Sequence, residues 1–333
     1  MSDLLSELLA DRDYLVADGA TGTNLMRMGL PAGQAPDLWN LDHPENVTRL
    51  HESFIDVGAD IILTNTFGAN RSRLSLEKAQ ERTSEINEAG AHLACEAKSK
   101  AGRPLVVAGS MGPTGEIMIP HGELTREKAE DVFSEQAEAL ARGGVDVLWI
   151  ETVYAFEELA AAVAAAARTG LPVVSTMTFD TAGHTMMGDS PEEAAAFVQT
   201  LPTPLAAYGA NCGVGPATLV HAVCGFVSGG QPGDVLVAKG NCGVPEMIDG
   251  EVVFKGDVDI MARYARLARD AGARIIGGCC GTAPEHLAAI VESLEGYEPG
   301  PSPGEAEIEA SLGRIDRSAD RKPARKGRRR QPK

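Results

Sequence analysis

Eight short apolar runs punctuate the chain, at residues 14–17, 60–64, 104–108, 145–150, 172–177, 205–208, 234–238 and 273–276. Each lacks the polar alternation of a half-exposed strand, which is the pattern of strands buried on both faces of a parallel sheet. Between them lie stretches with helical spacing of apolar positions and high Ala, Glu and Leu content, at 44–57, 77–100, 125–142, 156–168, 191–200, 258–270 and 285–294. A weaker helical pattern covers 216–224. Ser190-Pro191 followed by two glutamates, and Thr125 before Arg126-Glu127, are helix starts. Gly143-Gly144, Gly170 and Gly272 stop helices just ahead of the next run.

Eight strands alternating with helices predict a closed (β/α)8 barrel over residues 1–296. In that architecture the working residues sit at the carboxyl ends of the strands, on one face. Asp18, Thr66, Glu151, Cys212, Asn241, Cys279 and Cys280 all occupy such ends and are expected to converge around one mouth.

With 333 residues and 44% hydrophobic content, the chain can bury a core of that size. A net charge of −17 argues against nucleic acid or an anionic membrane as a partner for the body. No apolar run approaches a membrane span, and the first residues carry no signal pattern, so a cytoplasmic location is expected. From 297 to 333 Pro, Gly, Ser and charges dominate, and Arg314 to Lys333 carries +8 beside a body near −25. This segment reads as a disordered basic tail, with Leu312 and Ile315 too few to anchor it.

Chemistry enters with Gly277-Gly278-Cys279-Cys280-Gly281-Thr282, a tight turn after the last strand. Adjacent cysteines can be buried small apolar residues, a strained vicinal disulfide or two thiolate ligands of one metal. The flanking glycines favour the last reading by removing bulk where a metal or substrate would approach. Gly209-Ala210-Asn211-Cys212-Gly213 supplies a third thiolate in a matching setting. Three thiolates suit Zn2+ and leave a fourth position for a soft ligand such as a substrate thiol, held deprotonated near neutral pH. Asp18 and Glu151 at the same mouth could hold an ammonium group, so the site reads as one for an amino thiol. Cys95, Cys224 and Cys242 are read as packing, Cys242 with some prospect of bearing on the metal. The seven histidines show no ligand spacing. A structural zinc protein and a thiol redox protein using Cys279-Cys280 are the alternatives from other classes.

Four segments together, Asp18-Gly19-Ala20-Thr21-Gly22-Thr23, Asn65-Thr66-Phe67, Gly209–Gly213 and Gly277–Thr282, resemble the signature of the homocysteine S-methyltransferase family from about Asp18 to Leu294. The resemblance implies a zinc (β/α)8 barrel that methylates homocysteine to methionine. It implies Cys212, Cys279 and Cys280 as zinc ligands, and Asp18 and Glu151 on the homocysteine ammonium. The backbone near Gly19 would meet its carboxylate, with Thr66 also at the substrate. The chain looks most like bacterial betaine–homocysteine methyltransferases, which makes betaine the expected donor. Two positions depart from the animal betaine enzymes: Gly68 stands where they have Tyr, and Thr152 where they have an aromatic residue. Phe67, Trp39 and Tyr154 remain as candidates for an aromatic cage around an onium ion. Asn241-Cys242-Gly243-Val244-Pro245 instead resembles a turn of the cobalamin-dependent methionine synthase module, whose Asn can fill the resting fourth site of zinc. A homocysteine-activating component working with a separate cobalamin protein is therefore the alternative, followed by S-methylmethionine or S-adenosylmethionine as donor.

Overall fold

In the computed structural model, which describes residues 3–248 and 251–317, the eight runs form strands. They are β1 (Leu15–Val16), β2 (Ile61–Leu63), β3 (Val106–Met111), β4 (Val147–Val153), β5 (Val173–Met177), β6 (Ala207–Cys212), β7 (Leu236–Gly240) and β8 (Ala273–Gly278). From β2 to β8 each strand pairs in parallel with the next, and β8 pairs with β1. The bridge between Ala17 and Ile61 completes the ring, with Asp18 N–H donating to Ile61 O at 2.9 Å and Asp60 N–H to Val16 O at 2.7 Å. The expected (β/α)8 barrel is what forms.

Two faces of each strand feed two cores, because successive side chains point to opposite sides. Leu15, Ile61, Leu63, Val106, Val147, Trp149, Val174, Val237 and Ile275 fill the interior of the ring. Val16, Ile62, Val107, Leu148, Ile150, Tyr208 and Ile276 pack outward against the helices. On β4 the inward series continues from Val147 and Trp149 to Glu151, and on β7 from Val237 to Lys239. Both strands thus carry one charged side chain on top of an apolar column.

Helix boundaries follow local chemistry. Pro44, Pro191, Pro216 and Pro284 each sit in the first turn, where a missing N–H costs nothing. Ser190 and Glu193 form a reciprocal capping box, and Thr125 caps the Arg126–Arg142 helix. The long helix expected from 77 begins at Thr83, preceded by short 3-10 turns at Ser75–Glu77 and Gln80–Arg82. The weak pattern at 216 runs as a helix to Gly229. Among the described residues no helix is long and apolar enough to cross a membrane.

Three elements add to the expected plan. Helix Leu4–Asp11 is capped by Asp3 and closes the amino-terminal end of the barrel with Leu5, Leu8 and Leu9, which join the interior core. A two-stranded antiparallel hairpin, Pro245–Ile248 with Glu251–Phe254, follows β7. The third element corrects the expectation that disorder begins at 297. Glu305–Leu312 is a helix, and Ile308, Leu312 and Ile315 are buried at 0%, 6% and 5% exposure against the outer helices. Ile308 and Leu312, four apart, make one narrow stripe on the helix, and Ile315 is buried just beyond its end. Such a stripe cannot stabilise a free helix, but it suffices once the barrel supplies the opposite surface. Arg263 Nε donates to Ser311 O at 3.0 Å and fixes the helix end. Residues 318–333 of the basic tail lie outside the described residues.

The plug helix should matter to stability. Leu5→Ala removes a fully buried side chain from the closed end of the barrel and is expected to cost about 2–5 kcal/mol. Urea unfolding followed by circular dichroism checks this, and a change within about 0.5 kcal/mol would show that the helix is not part of the cooperative core.

Candidate active site

Strand register brings the cysteines together. Cys212 is level with Gly240 on β7, and Gly240 with Gly278 on β8, so Cys212, Asn241 and Cys279 arrive at one height. Cys279 N–H donates to Gly240 O at 2.7 Å and Cys242 N–H to Cys280 O at 2.9 Å, which ties the Cys-Cys turn to the end of β7. The three sulfurs lie within 4.8 Å of one another, with Cys212 and Cys280 at 3.9 Å. Sulfurs at ~2.3 Å from a tetrahedral metal would stand about 3.8 Å apart, so the spacing suits one shared ion. Cys95 and Cys224 are remote from this cluster, Cys224 lying against Ser302 and Pro303 on the outside. Cys242 is buried beside Asn241 but outside the sulfur group.

Asn241 is a further candidate donor beside the sulfurs. Asn241 donates through Nδ2 to Gly213 O at 2.6 Å, while its Oδ1 is buried and finds no partner among the described residues. A buried amide oxygen without a hydrogen-bond partner is costly, and a cation held beside the sulfurs would relieve that cost. Protonation tells the same story. Hydrogen bonds from Cys279 and Cys280 hold Cys212 well below the ordinary thiol range, at about 3, while Cys279 is pushed to about 12 by its bond to Cys212, and Cys280 is also raised. Three half-buried thiols cannot all ionise on mutual hydrogen bonds alone; a cation is required for three thiolates. The residues therefore fit a thiolate-bound metal.

Backbone strain concentrates at the same mouth. Cys212 and Thr152, neither a glycine, have φ of 61° and 63°. Residues held in that region cost of order 1–3 kcal/mol and persist only where the surroundings enforce them. Asn211 does so for Thr152, accepting its N–H at 2.9 Å and donating to its hydroxyl at 2.7 Å. The Asn211 amide also reaches toward Cys279 Sγ at 3.8 Å, so one side chain links the end of β4 to the sulfur cluster.

A cleft of about 660 Å³ opens above the sulfurs. Gly19, Ser110, Glu151, Lys239 and all three cysteines line it. Glu151 is buried at 8% exposure and accepts from the Ser110 hydroxyl at 2.5 Å. Burial pushes its carboxyl up to about 7, against the pull of Lys239. Asp18 lies behind the lining. Its Oδ1 accepts from Lys239 Nζ at 2.7 Å and its Oδ2 from Leu63 N–H at 2.7 Å. Thr66 is fully buried and spends its hydroxyl on Ser110 O at 2.7 Å and Thr64 Oγ1 at 2.6 Å, bracing β2 against β3.

Lys239 is the residue that sequence inspection passed over. Its signal was there: an inward position on β7, two residues after Val237. The glycines also do different work from the one expected. A Cβ on Gly277 would sit 2.5 Å from Ala17 O, and one on Gly278 2.2 Å from the Thr282 side chain, so they serve close packing within the chain. At Gly68 a Cβ would meet Asp37 Oδ2 at 2.8 Å, so any side chain there would have to displace the Asp37 carboxylate. Of the three aromatic candidates for a cage, Phe67 lines the cleft. Trp39 is buried against His43, and Tyr154 lines a separate groove with Phe156 and Met187.

The homocysteine S-methyltransferase family profile matches residues 15–294, and the chain belongs to that family. It is 30% identical over 319 residues to the methionine synthase of Mycobacterium tuberculosis, covering 88% of this chain and 25% of that protein. The methionine synthase of Mycobacterium leprae is 28% identical over the same share of each. The chain thus spans about a quarter of the length of these relatives. Among solved structures, the metallated homocysteine methyltransferase MmuM from Escherichia coli superposes with a TM-score of 0.72 at 25% identity, covering 86% of this chain and 99% of that one.

The metal assignment is open to direct measurement. The purified chain should hold one divalent metal, and Cys212→Ala, Cys279→Ala or Cys280→Ala should each lose most of it by elemental analysis. Asn241→Ala should keep the metal but release it roughly 10-fold more readily to a chelator. Full retention in any cysteine variant would remove that residue from the ligand set.

Proposed function

We propose that the chain transfers a methyl group to homocysteine to give methionine, with zinc held by Cys212, Cys279 and Cys280. The observation that carries this reading is the trio of sulfurs at the floor of a cleft that also holds a buried carboxylate, Glu151. Zinc bound by three thiolates supplies a position for the substrate sulfur and keeps it anionic near neutral pH. The remaining work belongs to the chain. Glu151, braced by Ser110, would take the substrate ammonium, and the ammonium would in turn favour the ionised form of a carboxyl that burial has raised. The backbone around Gly19, pinned by Ala20 N–H on Thr282 O at 3.0 Å, closes the side of the cleft next to the Cys-Cys turn. In the transfer a sulfur–carbon bond forms, and the donor's bond to that methyl breaks with its electron pair left on the donor, the two lying in line.

For the donor, the cleft supports methylcobalamin carried by another protein over betaine. A quaternary ammonium is held best by several aromatic faces, and Phe67 by itself does not build them. The mouth is wide and lined in part by exposed Met26 and Leu76, while Ile117, Ile119, Met186 and Met187 are exposed elsewhere, three of them on the separate groove beside Tyr154. All six lie in segments that follow strand carboxyl ends, so a large apolar partner could approach the same opening. The partnerless Asn241 oxygen agrees with the turn that resembles the cobalamin-dependent module.

The test incubates zinc-loaded protein and homocysteine separately with methylcobalamin, betaine, S-methylmethionine and S-adenosylmethionine, and measures methionine. Methionine from methylcobalamin is expected; methionine from betaine would replace that donor, and none from any donor would remove the reading. Glu151→Gln should keep zinc and weaken homocysteine binding by roughly 1.5–3 kcal/mol in calorimetry.

A further inference from the structure

The family resemblance gives both carboxylates, Asp18 and Glu151, to the substrate ammonium. The geometry points to a different division of labour, and it rests on the homocysteine reading above. We infer that Lys239 is the receptor for the substrate carboxylate, that Glu151 is the receptor for its ammonium, and that Asp18 acts only by positioning Lys239.

Three observations carry this. Glu151 and Lys239 both line the cleft, whereas Asp18 does not. Asp18 is engaged on both oxygens, by Lys239 Nζ at 2.7 Å and Leu63 N–H at 2.7 Å, and its backbone carbonyl also accepts from Lys239 Nζ at 3.2 Å. An ammonium has three N–H bonds; among the described residues two of them go to Asp18, and the third is left for an occupant of the cleft. Beneath Lys239 the Trp149 ring lies 5.8 Å from Nζ, part of the apolar column that prevents the side chain from sinking further. Burial works against the lysine's charge, but the Asp18 and Glu151 carboxylates outweigh it and hold Lys239 protonated.

The cleft is therefore lined by a carboxyl group, Glu151, and an ammonium, Lys239, together with the sulfur cluster. That is the charge pattern of a receptor for an α-amino acid zwitterion whose side chain ends in a thiol. Two carboxylates alone would attract an ammonium but repel the carboxylate attached to the same carbon.

The experiment compares three thiols on the zinc-loaded protein by calorimetry: L-homocysteine, 3-mercaptopropylamine, which lacks the carboxylate, and 4-mercaptobutanoate, which lacks the ammonium. The native protein should prefer homocysteine to each analogue by at least ~10-fold, in keeping with charge-assisted contacts. Lys239→Met should lose the preference over 3-mercaptopropylamine while keeping the preference over 4-mercaptobutanoate. Glu151→Gln should do the reverse. Lys239→Met leaves Asp18 buried and unpaired, so Asp18→Asn/Lys239→Met, which removes both charges, is the companion variant and should show the same loss. If neither variant folds, the comparison on the native protein still decides, because equal binding of homocysteine and 3-mercaptopropylamine overturns the inference. Undiminished discrimination in a folded Lys239 variant overturns it as well. Failure of all three thiols to bind would instead sink the homocysteine reading, so the two failures are distinguishable.

Discussion

Closure of the strand ring is the constraint on which the site depends. Cys212, Lys239, Glu151 and Cys279 come from four strands, and none is near another in sequence except through that closure. Register then sets their height. Because Cys212, Gly240 and Gly278 are level, three sulfurs reach one point, and a slip of one residue on β6 would turn Cys212 away from it. The apolar column beneath, with Trp149 at 0% exposure, supports this layer from below. The plug formed by Leu5, Leu8 and Leu9 closes the column at the far end.

Much of this was legible in the sequence because burial on both faces leaves an unmistakable strand signal. The eight apolar runs, the Ser190 cap and the prolines at helix starts all translate directly into structure. What escaped notice has physical reasons. Helix Leu4–Asp11 is a single short amphipathic stretch whose partner is the open end of a barrel, a surface that exists only after folding. Helix Glu305–Leu312 has the same character: Ile308, Leu312 and Ile315 look sparse until the outer helices are in place.

At the site, the ligand types were legible, but their connections were not. Cysteine positions name a metal-binding cluster because few other uses require three thiols at strand ends. A carboxylate is less specific, since its role depends on what stands beside it. Asp18 and Glu151 look alike in sequence, yet one faces Lys239 and the amide of Leu63 while the other faces Ser110 and the cleft. Period-two reading of β7 would have flagged Lys239, as an ammonium above an apolar column is tolerated only with a partner.

Charge balance explains why such a pair belongs at this floor. A cation held by three thiolates leaves the cluster net anionic, and Glu151 adds to the negative field felt by anything that enters. A thiolate substrate brings more negative charge, and its α-carboxylate more again. Without a fixed cation the mouth would oppose the ligand it has to hold. On the proposed reading Lys239 would offer that cation without a free lysine's cost, because its contact with Asp18 neutralises it and orients it. A methylated sulfur is neutral and a weaker metal ligand, so a methylated product would lose its strongest contact while its amino acid head kept the same receptors. Receptors that place the substrate would thus be separate from the bond that changes, which would let one cleft hold substrate firmly and release product.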